Sequence, residues 1–292
     1  MSSTDRRLPF WKGHGTENDF VILHDPDGRI DLTPDEVARL CDRRAGVGGD
    51  GLLRVVRAAA HPEAQSTAGQ AEWFMDYRNS DGSVAEMCGN GVRVFARHLQ
   101  RAGLATSGEL PVATRAGVRH VRLAESGDVT VSMGRAGLPE GQVTVHVGER
   151  SWPARRVDMG NPHAVAFVAD LADAGDLLRP PRVTPTSAYP DGVNVEFVVD
   201  RGPGHVALRV HERGSGETRS CGTGACAAMV AAARRDGVDP AATGRPATYT
   251  VDVPGGRLTV TERPDGEVLL TGPAEIVAEG TIDLAWLRGA AA

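Results

Sequence analysis

Two stretches of the chain open alike. "AEMCGNGVRVFARHL" runs from Ala85 to Leu99, and "TRSCGTGACAAMVAA" runs from Thr218 to Ala232. Each places Cys-Gly-x-Gly at the mouth of an apolar, helix-like run. The first turn of a helix has unpaired amides and a partial positive charge. A cysteine there has its thiolate favoured, and neighbouring glycines let an anion approach the bare amides. Cys88-Gly89-Asn90-Gly91 and Cys221-Gly222-Thr223-Gly224 thus each describe an anion nest with a reactive thiol at its rim. A single copy reads equally well as a structural cysteine above a glycine turn. The matched pair points to two thiols facing one small anionic substrate across a cleft.

Several chemistries use cysteine. Structural zinc sites need close pairs such as C-x₂₋₄-C. Cys221 and Cys226 are separated by four residues inside one helical run, and no second pair follows. A redox dithiol favours C-x-x-C, which the chain lacks. Acyl transfer needs one cysteine and a histidine base. His163 and His211 could serve, but the second cysteine motif is then unexplained. Inversion at the Cα of an amino acid uses both: one thiolate removes the α-proton and the opposite thiol returns one to the other face. Helix N-termini on the α-carboxylate would stabilise the carbanion-like transition state. Most amino-acid racemisation borrows pyridoxal phosphate, which needs a lysine for its Schiff base. Lys12 is the only lysine and lies outside any phosphate-cradling motif. A cofactor-free route fits that count. Two other classes stay open: a binding protein with the same cleft, and a redox sensor whose facing thiols join under oxidation.

Polar residues gather near these openings. Asn18, Asn79, Asn90, Asn161 and Asn194 all stand at strand-to-turn or turn-to-helix positions, where asparagine is also a common turn former. Glu212 and Arg213 come shortly before the second thiol; an arginine there could pair bidentately with a carboxylate. His163, in "GNPH", reads as a turn histidine or as a group that tunes a cysteine.

The elements that must position these residues repeat. "GTENDFVIL" (Gly15 to Leu23) is matched by "GNPHAVAFV" (Gly160 to Val168), which pairs Asn18 with Asn161. "GVGGDGLLRVV" (Gly46 to Val56) is matched by "YPDGVNVEFVV" (Tyr189 to Val199), which pairs Asp50 with Asn194. The two cysteine helices come next, and each is followed by a hairpin pattern, Gly117 to Gly134 and Gly256 to Gly272, with Gly-Asp or Asp-Gly at the tip. Val92, Phe95, Ala96 and Leu99 fall at i, i+3, i+4 and i+7, and Ala225, Ala228, Met229 and Ala232 repeat that spacing. The second helix is apolar on every side, so it must be buried. The expected fold is α+β, in two pseudo-symmetric halves, 1–135 and 136–273, each a mixed or antiparallel sheet curled round a central helix. The tail 274–292 reads as strand plus short helix that could pack back on the first half. The segments 58–70 and 179–192 read as loops.

Composition is compatible with this. A chain of 292 residues is long for one core and natural for two. Hydrophobic content of 41% supports real cores. Aromatics are only 4%, so packing relies on Val, Leu, Ala and Ile. A net charge of −6 with dispersed arginine argues against nucleic-acid or membrane surfaces. The N-terminus shows no apolar signal-peptide core, so the expectation is a cytoplasmic protein with reduced thiols.

The motifs "GTENDFVIL", "RNSDGSVAEMCGNGVRVFARHL", "MGNPHAV", "DGVNVEFV" and "HERGSGETRSCGTGACAA" resemble the diaminopimelate epimerase family over nearly the whole chain. The resemblance implies interconversion of LL- and meso-diaminopimelate, for lysine and peptidoglycan precursor synthesis, without a cofactor and commonly in a homodimer. It implies Cys88 and Cys221 as the two bases. Gly89, Asn90, Gly222 and Thr223 would cradle the carboxylate at the reacting centre, with Asn18 in the same pocket. Asn79, Asn161, Asn194, Glu212 and Arg213 would hold the distal end of the substrate, and His163 and Glu212 would tune the cysteines. One departure is visible: many members carry Gln where this chain has Gly51. Within the same fold, proline and hydroxyproline racemases tend to have His at the place of Asn90, and phenazine-type isomerases tend to lack the paired thiols.

Overall fold

Turn chemistry and alternation shape the first half. The structure, a computed structural model, describes residues 7–125 and 127–289. Ser126, at the tip of the first expected hairpin, lies outside the described residues, as do 1–6 and the end of the tail, 290–292. The chain divides into two compact units, one running to Val131 and resuming at Pro273, the other Ser132–Gly272.

In the first unit, β1 (Arg7–Gly15) and β2 (Asn18–His24) form an antiparallel pair. The turn between them holds Thr16 and Glu17 at positive φ, 50° and 62°. A helix that the sequence motifs do not announce, α1 (Pro34–Cys41), follows; Thr33 and Glu36 cap it reciprocally, with Pro34 in its first turn. Next come β3 (Gly51–Arg57), parallel to β2, and β4 (Trp73–Asn79), antiparallel to β3. After α2 (Gly89–Arg101), β5 (Gly108–Thr114) runs parallel to β4. Antiparallel β6 (Gly117–Leu123) and β7 (Val129–Arg135), whose residues from Ser132 on belong to the second unit, complete the series. The C-terminal strand Glu275–Asp283 pairs antiparallel with β1. The strands β1 to β6 and this last one surround α2. Its apolar face, Val92, Phe95, Ala96 and Leu99, is fully buried, and so are Arg93 and His98.

The 58–70 segment is not an open loop. Ala58–Ala60 and Pro62–Thr67 form 3₁₀ turns. Ala58 and Ala64 pack with Ala71, Phe74 and Ala113, and Arg115 bridges Glu63 to the buried Asp76. Small side chains and one charge clamp dock the segment, which its lack of periodicity conceals.

The second unit starts with β8 (Val143–Val147) and β9 (Arg150–Asp158), then β10 (Pro162–Phe167) and the short β11 (Arg182–Thr184), which pairs with β8. β12 (Asn194–Gly202), β13 (His205–Glu212), the two-residue β14 (Gly216–Glu217) and α3 (Gly222–Arg235) follow. β15 (Ala247–Val253), β16 (Gly256–Glu262) and β17 (Glu267–Gly272) close the unit. β9, β10, β12, β13, β15, β16 and β17 surround α3, and every residue from Ala225 to Ala233 is buried. Alanine on all sides lets the strands come close without a groove to fill.

The pairing order is the same in both units. β1 to β7 join as antiparallel, parallel, antiparallel, parallel, antiparallel, antiparallel. β9, β10, β12, β13, β15, β16 and β17 repeat that series. Register then sets equivalences. Phe20 faces Gly51 where His163 faces Asn194. Asn194 therefore corresponds to Gly51 and not to Asp50, and two residues further on Leu53 corresponds to Glu196.

Candidate active site

Both cysteines are the N-cap residues of their helices. Cys88 has φ −140° and ψ 120°, and Cys221 has φ −116° and ψ 115°, extended in both cases. Each sulfur accepts a hydrogen bond from the third amide of its helix: Gly91 N–H to Cys88 Sγ and Gly224 N–H to Cys221 Sγ, both 3.4 Å. The thiol takes the place that serine or threonine usually fills at a helix start. What lies around each sulfur differs.

At the first thiol, Asn18 and Asn90 meet. Asn18 Oδ1 accepts from Cys88 Sγ at 3.6 Å and from Asn90 Nδ2 at 3.2 Å. Asn18 Nδ2 donates to Asp50 Oδ2 at 2.7 Å. A carboxylate only accepts, so Asp50 decides which end of the amide faces the thiol. Asp50 is itself held by the Asp19 amide and by Arg43. Arg43 and Lys12 both bind Asp19, and Lys12 also donates to the Gly48 carbonyl. Burial works against the Asp19 charge, yet the bonds from Arg43 and Lys12 hold its carboxyl far below the ordinary range. The single lysine thus belongs to a charge cluster behind Asn18. Beneath the helix start the floor is apolar: a Cβ on Gly91 would stand 3.4 Å from Leu53 Cδ2 and 3.6 Å from Phe20 Cζ.

Asn79 ends β4, its Oδ1 accepting from Tyr77 Oη at 2.9 Å and its Nδ2 donating to Ser83 Oγ at 3.0 Å. Tyr77 also explains Gly51. A Cβ there would meet Tyr77 Cε2 at 2.8 Å and the Arg78 carbonyl at 2.6 Å. The tyrosine ring from the neighbouring strand fills the space that a side chain at position 51 would take.

At the second thiol the surroundings are polar and buried. His163 and Glu196 are wholly buried, with Nδ1 2.6 Å from Glu196 Oε1. His163 Nε2 lies 3.0 Å from Asn161 Oδ1. Asn161 Nδ2 donates to Thr223 Oγ1 at 3.3 Å, and Thr223 Oγ1 lies 3.5 Å from Cys221 Sγ. Gly224 is required by this crowding: its Cβ would come 2.9 Å from Glu196 Oε1 and 3.3 Å from Cys221 Sγ. The Glu212 carboxyl accepts from the Thr218 hydroxyl and lies within electrostatic reach of the Cys221 thiol. Burial raises the pKa of both Glu196 and Glu212. The expectation of an acidified cysteine at a helix start is reversed here. Burial, then the charges of Glu212 and Glu196, push the Cys221 thiol well above its ordinary value, outweighing the Thr223 and Gly224 hydrogen bonds.

Asn194 is taken up by backbone: Nδ2 donates to the Pro162 carbonyl at 3.0 Å and Oδ1 accepts from the Arg213 amide at 2.9 Å. It fixes the two segments that carry His163 and Arg213. The Arg213 guanidinium is exposed, bonded to the Asp191 carbonyl at 3.2 Å. It helps line a cavity of about 280 Å³ with Arg156, Asp158, Tyr189 and Asp191. Sequence motifs do not single out Glu196; its signal is a lone acid in the run "VNVEFVV", apolar but for it and Asn194. Among the described residues, no group of three or more His, Cys, Asp or Glu is arranged to hold a metal ion, and no helix is long and apolar enough to cross a membrane.

The family described as diaminopimelate epimerase matches residues 10–139 and 155–277. A diaminopimelate epimerase of Streptomyces coelicolor is 75% identical over 283 residues, 97% of this chain and 98% of the relative. That of Thermobifida fusca is 50% identical, covering 96% of this chain and 100% of the relative. Among solved structures, a PhzF-family phenazine biosynthesis protein of Bacillus anthracis superposes with TM-score 0.70 at 17% identity, covering 95% of this chain and 99% of that one. A hydroxyproline epimerase of Agrobacterium vitis superposes with TM-score 0.65 at 16% identity, covering 96% and 93%. At those identities the two structures show the fold alone.

Proposed function

The chain belongs to the diaminopimelate epimerase family, and from that premise we propose that it interconverts LL- and meso-2,6-diaminopimelate with Cys88 and Cys221 as the two bases. The observation that carries this is the matched pair of thiols, each capping a buried helix in the same backbone conformation. Inversion needs a group on each face of Cα, because a single base that removes and returns the proton from one side restores the starting isomer. One sulfur takes the α-proton as thiolate, and the opposite thiol supplies a proton to the other face.

The α-carboxylate at the reacting centre meets the first amides of both helices, at Gly89–Asn90 and Gly222–Thr223, with Asn18 beside Cys88. Their N–H groups stabilise negative charge as it spreads from Cα into the carboxylate. Asn79, Asn161, Glu212 and Arg213 recognise the distal amino-acid end, and Asn194 holds the segments carrying two of the site residues. His163 and Glu212 set the proton affinity of Cys221. In this reading no pyridoxal phosphate takes part, and the enzyme works in the cytoplasm as a homodimer, supplying lysine and peptidoglycan precursors.

Incubation of reduced protein with LL-diaminopimelate in D₂O, without added pyridoxal phosphate, tests it. The expected result is deuterium at one α-carbon and the appearance of the meso isomer by NMR. If folded, reduced protein exchanges no α-proton of diaminopimelate but does exchange that of proline, the substrate assignment is wrong.

A further inference from the structure

We infer that Glu196, on the buried face of β12, is a positioning residue for the second thiol, acting through a hydrogen-bond chain of His163, Asn161 and Thr223 that ends on Cys221. The inference rests on the proposed role of Cys221. The chain is continuous: Glu196 Oε1 to His163 Nδ1 at 2.6 Å, His163 Nε2 to Asn161 Oδ1 at 3.0 Å, Asn161 Nδ2 to Thr223 Oγ1 at 3.3 Å, and Thr223 Oγ1 to Cys221 Sγ at 3.5 Å.

Its direction follows from donor and acceptor types. Asn161 gives its N–H to Thr223, so its carbonyl faces the imidazole, and His163 Nε2 must carry a proton. Glu196 makes that tautomer the stable one. Whether the shared proton sits on Oε1 or on Nδ1, the Nε2 proton stays in place. With its oxygen already accepting from Asn161, Thr223 turns its own O–H toward Cys221 and supports the thiolate. Glu196 Oε2 is buried without a hydrogen-bond partner among the described residues. A packing role alone would leave no reason to keep such a group, since apolar residues fill the equivalent places in the first unit: Phe20 for His163 and Leu53 for Glu196.

A simple charge effect predicts the opposite sign. The titratable groups facing Cys221 are Glu212 on β13 and Glu196 on β12, the latter hydrogen-bonded to His163 on β10. A carboxylate near a sulfur disfavours the thiolate, so deleting Glu196 would speed thiolate chemistry if charge were its whole contribution. If the chain dominates, deletion slows it.

The test measures alkylation of Cys221 by iodoacetamide at fixed pH, by peptide mapping, on the full chain carrying Cys88→Ala. Glu196→Leu should slow the reaction about tenfold, equivalent to a shift of roughly one pH unit. Glu196→Gln, whose amide N–H still donates to Nδ1, should stay within about threefold of the parent. Thr223→Val cuts the last link without touching a buried charge; it should slow the reaction to a similar degree and decides the matter if Glu196→Leu does not fold. In an Asn161→Ala background Glu196→Leu should no longer slow the reaction. The inference is overturned if Glu196→Leu alkylates as fast as the parent or faster, if Thr223→Val leaves the rate unchanged, or if the Glu196 effect persists undiminished without Asn161. None of these readouts uses epimerase activity. A failure of the substrate assignment in D₂O therefore leaves them unaffected, and their failure leaves that assignment unaffected.

Discussion

The two helix starts share a backbone and a glycine N–H on the sulfur, and they differ in the side chains around it. Cys88 is half-buried over an apolar floor of Phe20 and Leu53, and its polar neighbour Asn18 offers it a carbonyl. Cys221 is 5% exposed and faces Thr223, Glu212 and Glu196, the last paired with the buried His163. The equivalent asparagines point opposite ways. Asp50 holds the Asn18 amide with its oxygen toward the thiol, whereas Asn161 turns its oxygen to His163 and its nitrogen toward Thr223. A duplicated scaffold has thus kept the geometry of the two thiols alike while making their proton affinities separately adjustable. The proposed two-base reaction uses this, since in it one group is thiolate while the other is thiol.

The largest expected effect comes from breaking the pair itself. Cys88→Ala and Cys221→Ala should each reduce inversion by about a thousandfold or more, with the circular dichroism spectrum unchanged. Cys41→Ala and Cys226→Ala should keep most of the rate. Loss of turnover in folded Cys226→Ala would move the second base from Cys221 to Cys226.

A smaller effect separates the first site from the second. Asp50→Ala leaves the Asn18 amide free to rotate, so kcat should fall about tenfold with a lesser change in KM. Asn18→Ala should show the same loss, and the double variant no more than either. Additive losses would mean that Asp50 acts only by shaping its loop.

Glu212→Gln sharpens the contrast from the other side. Removing a negative charge that faces Cys221 lowers its pKa, so its alkylation should accelerate severalfold at pH 8. Cys88, in the other unit, should react as before. An equal change at both thiols would show that the substitution had disturbed the whole molecule.

The smallest expected effect concerns the helices. His98 on α2 is buried, and both its ring nitrogens lack hydrogen-bond partners among the described residues. Burial, then the His24 and Arg101 charges, lower its pKa from 6.5 to about 4. The unfolded chain therefore takes up that proton first: the contribution of neutral His98 is whole above pH 6.5 and is lost progressively as pH falls toward 4. His98→Phe should flatten this part of the Tm-against-pH curve and raise Tm at pH 5 by a few degrees. The buried stretch of α3 from Ala225 to Ala233 carries alanine, methionine, valine and one cysteine. Hydrogen exchange should accordingly place the acid-sensitive opening in the first unit, and protection lost equally in both would remove His98 as its cause.

Much of this was legible because the chain states it twice. Cys-Gly-x-Gly before an apolar run announces a capped helix, and helical spacing in α2 and α3 announces which faces are buried. Other features had no local signature. The α1 helix is short and its cap motif stands alone. The 58–70 segment docks through alanines too small to give a period, and nothing in Glu275–Asp283 names β1 as its partner. Of the residues expected at the site, Asn18, Asn90, Asn161, Thr223 and Glu212 lie near one thiol or the other, Asn194 makes its hydrogen bonds to backbone, and Glu196 passed as one strand residue among many.

Residue order alone determined the duplication, the two thiol-capped helices and the family, since each depends on local propensity and short spacing. Tertiary structure decided the proton affinity of Cys221. Whether a cysteine at a helix start is acidified depends on what is buried beside it, and those groups arrive from β2, β10, β12 and β13. Pairing register, which a chain reveals only when its strands meet, put Leu53 beside the first helix start and Glu196 beside the second.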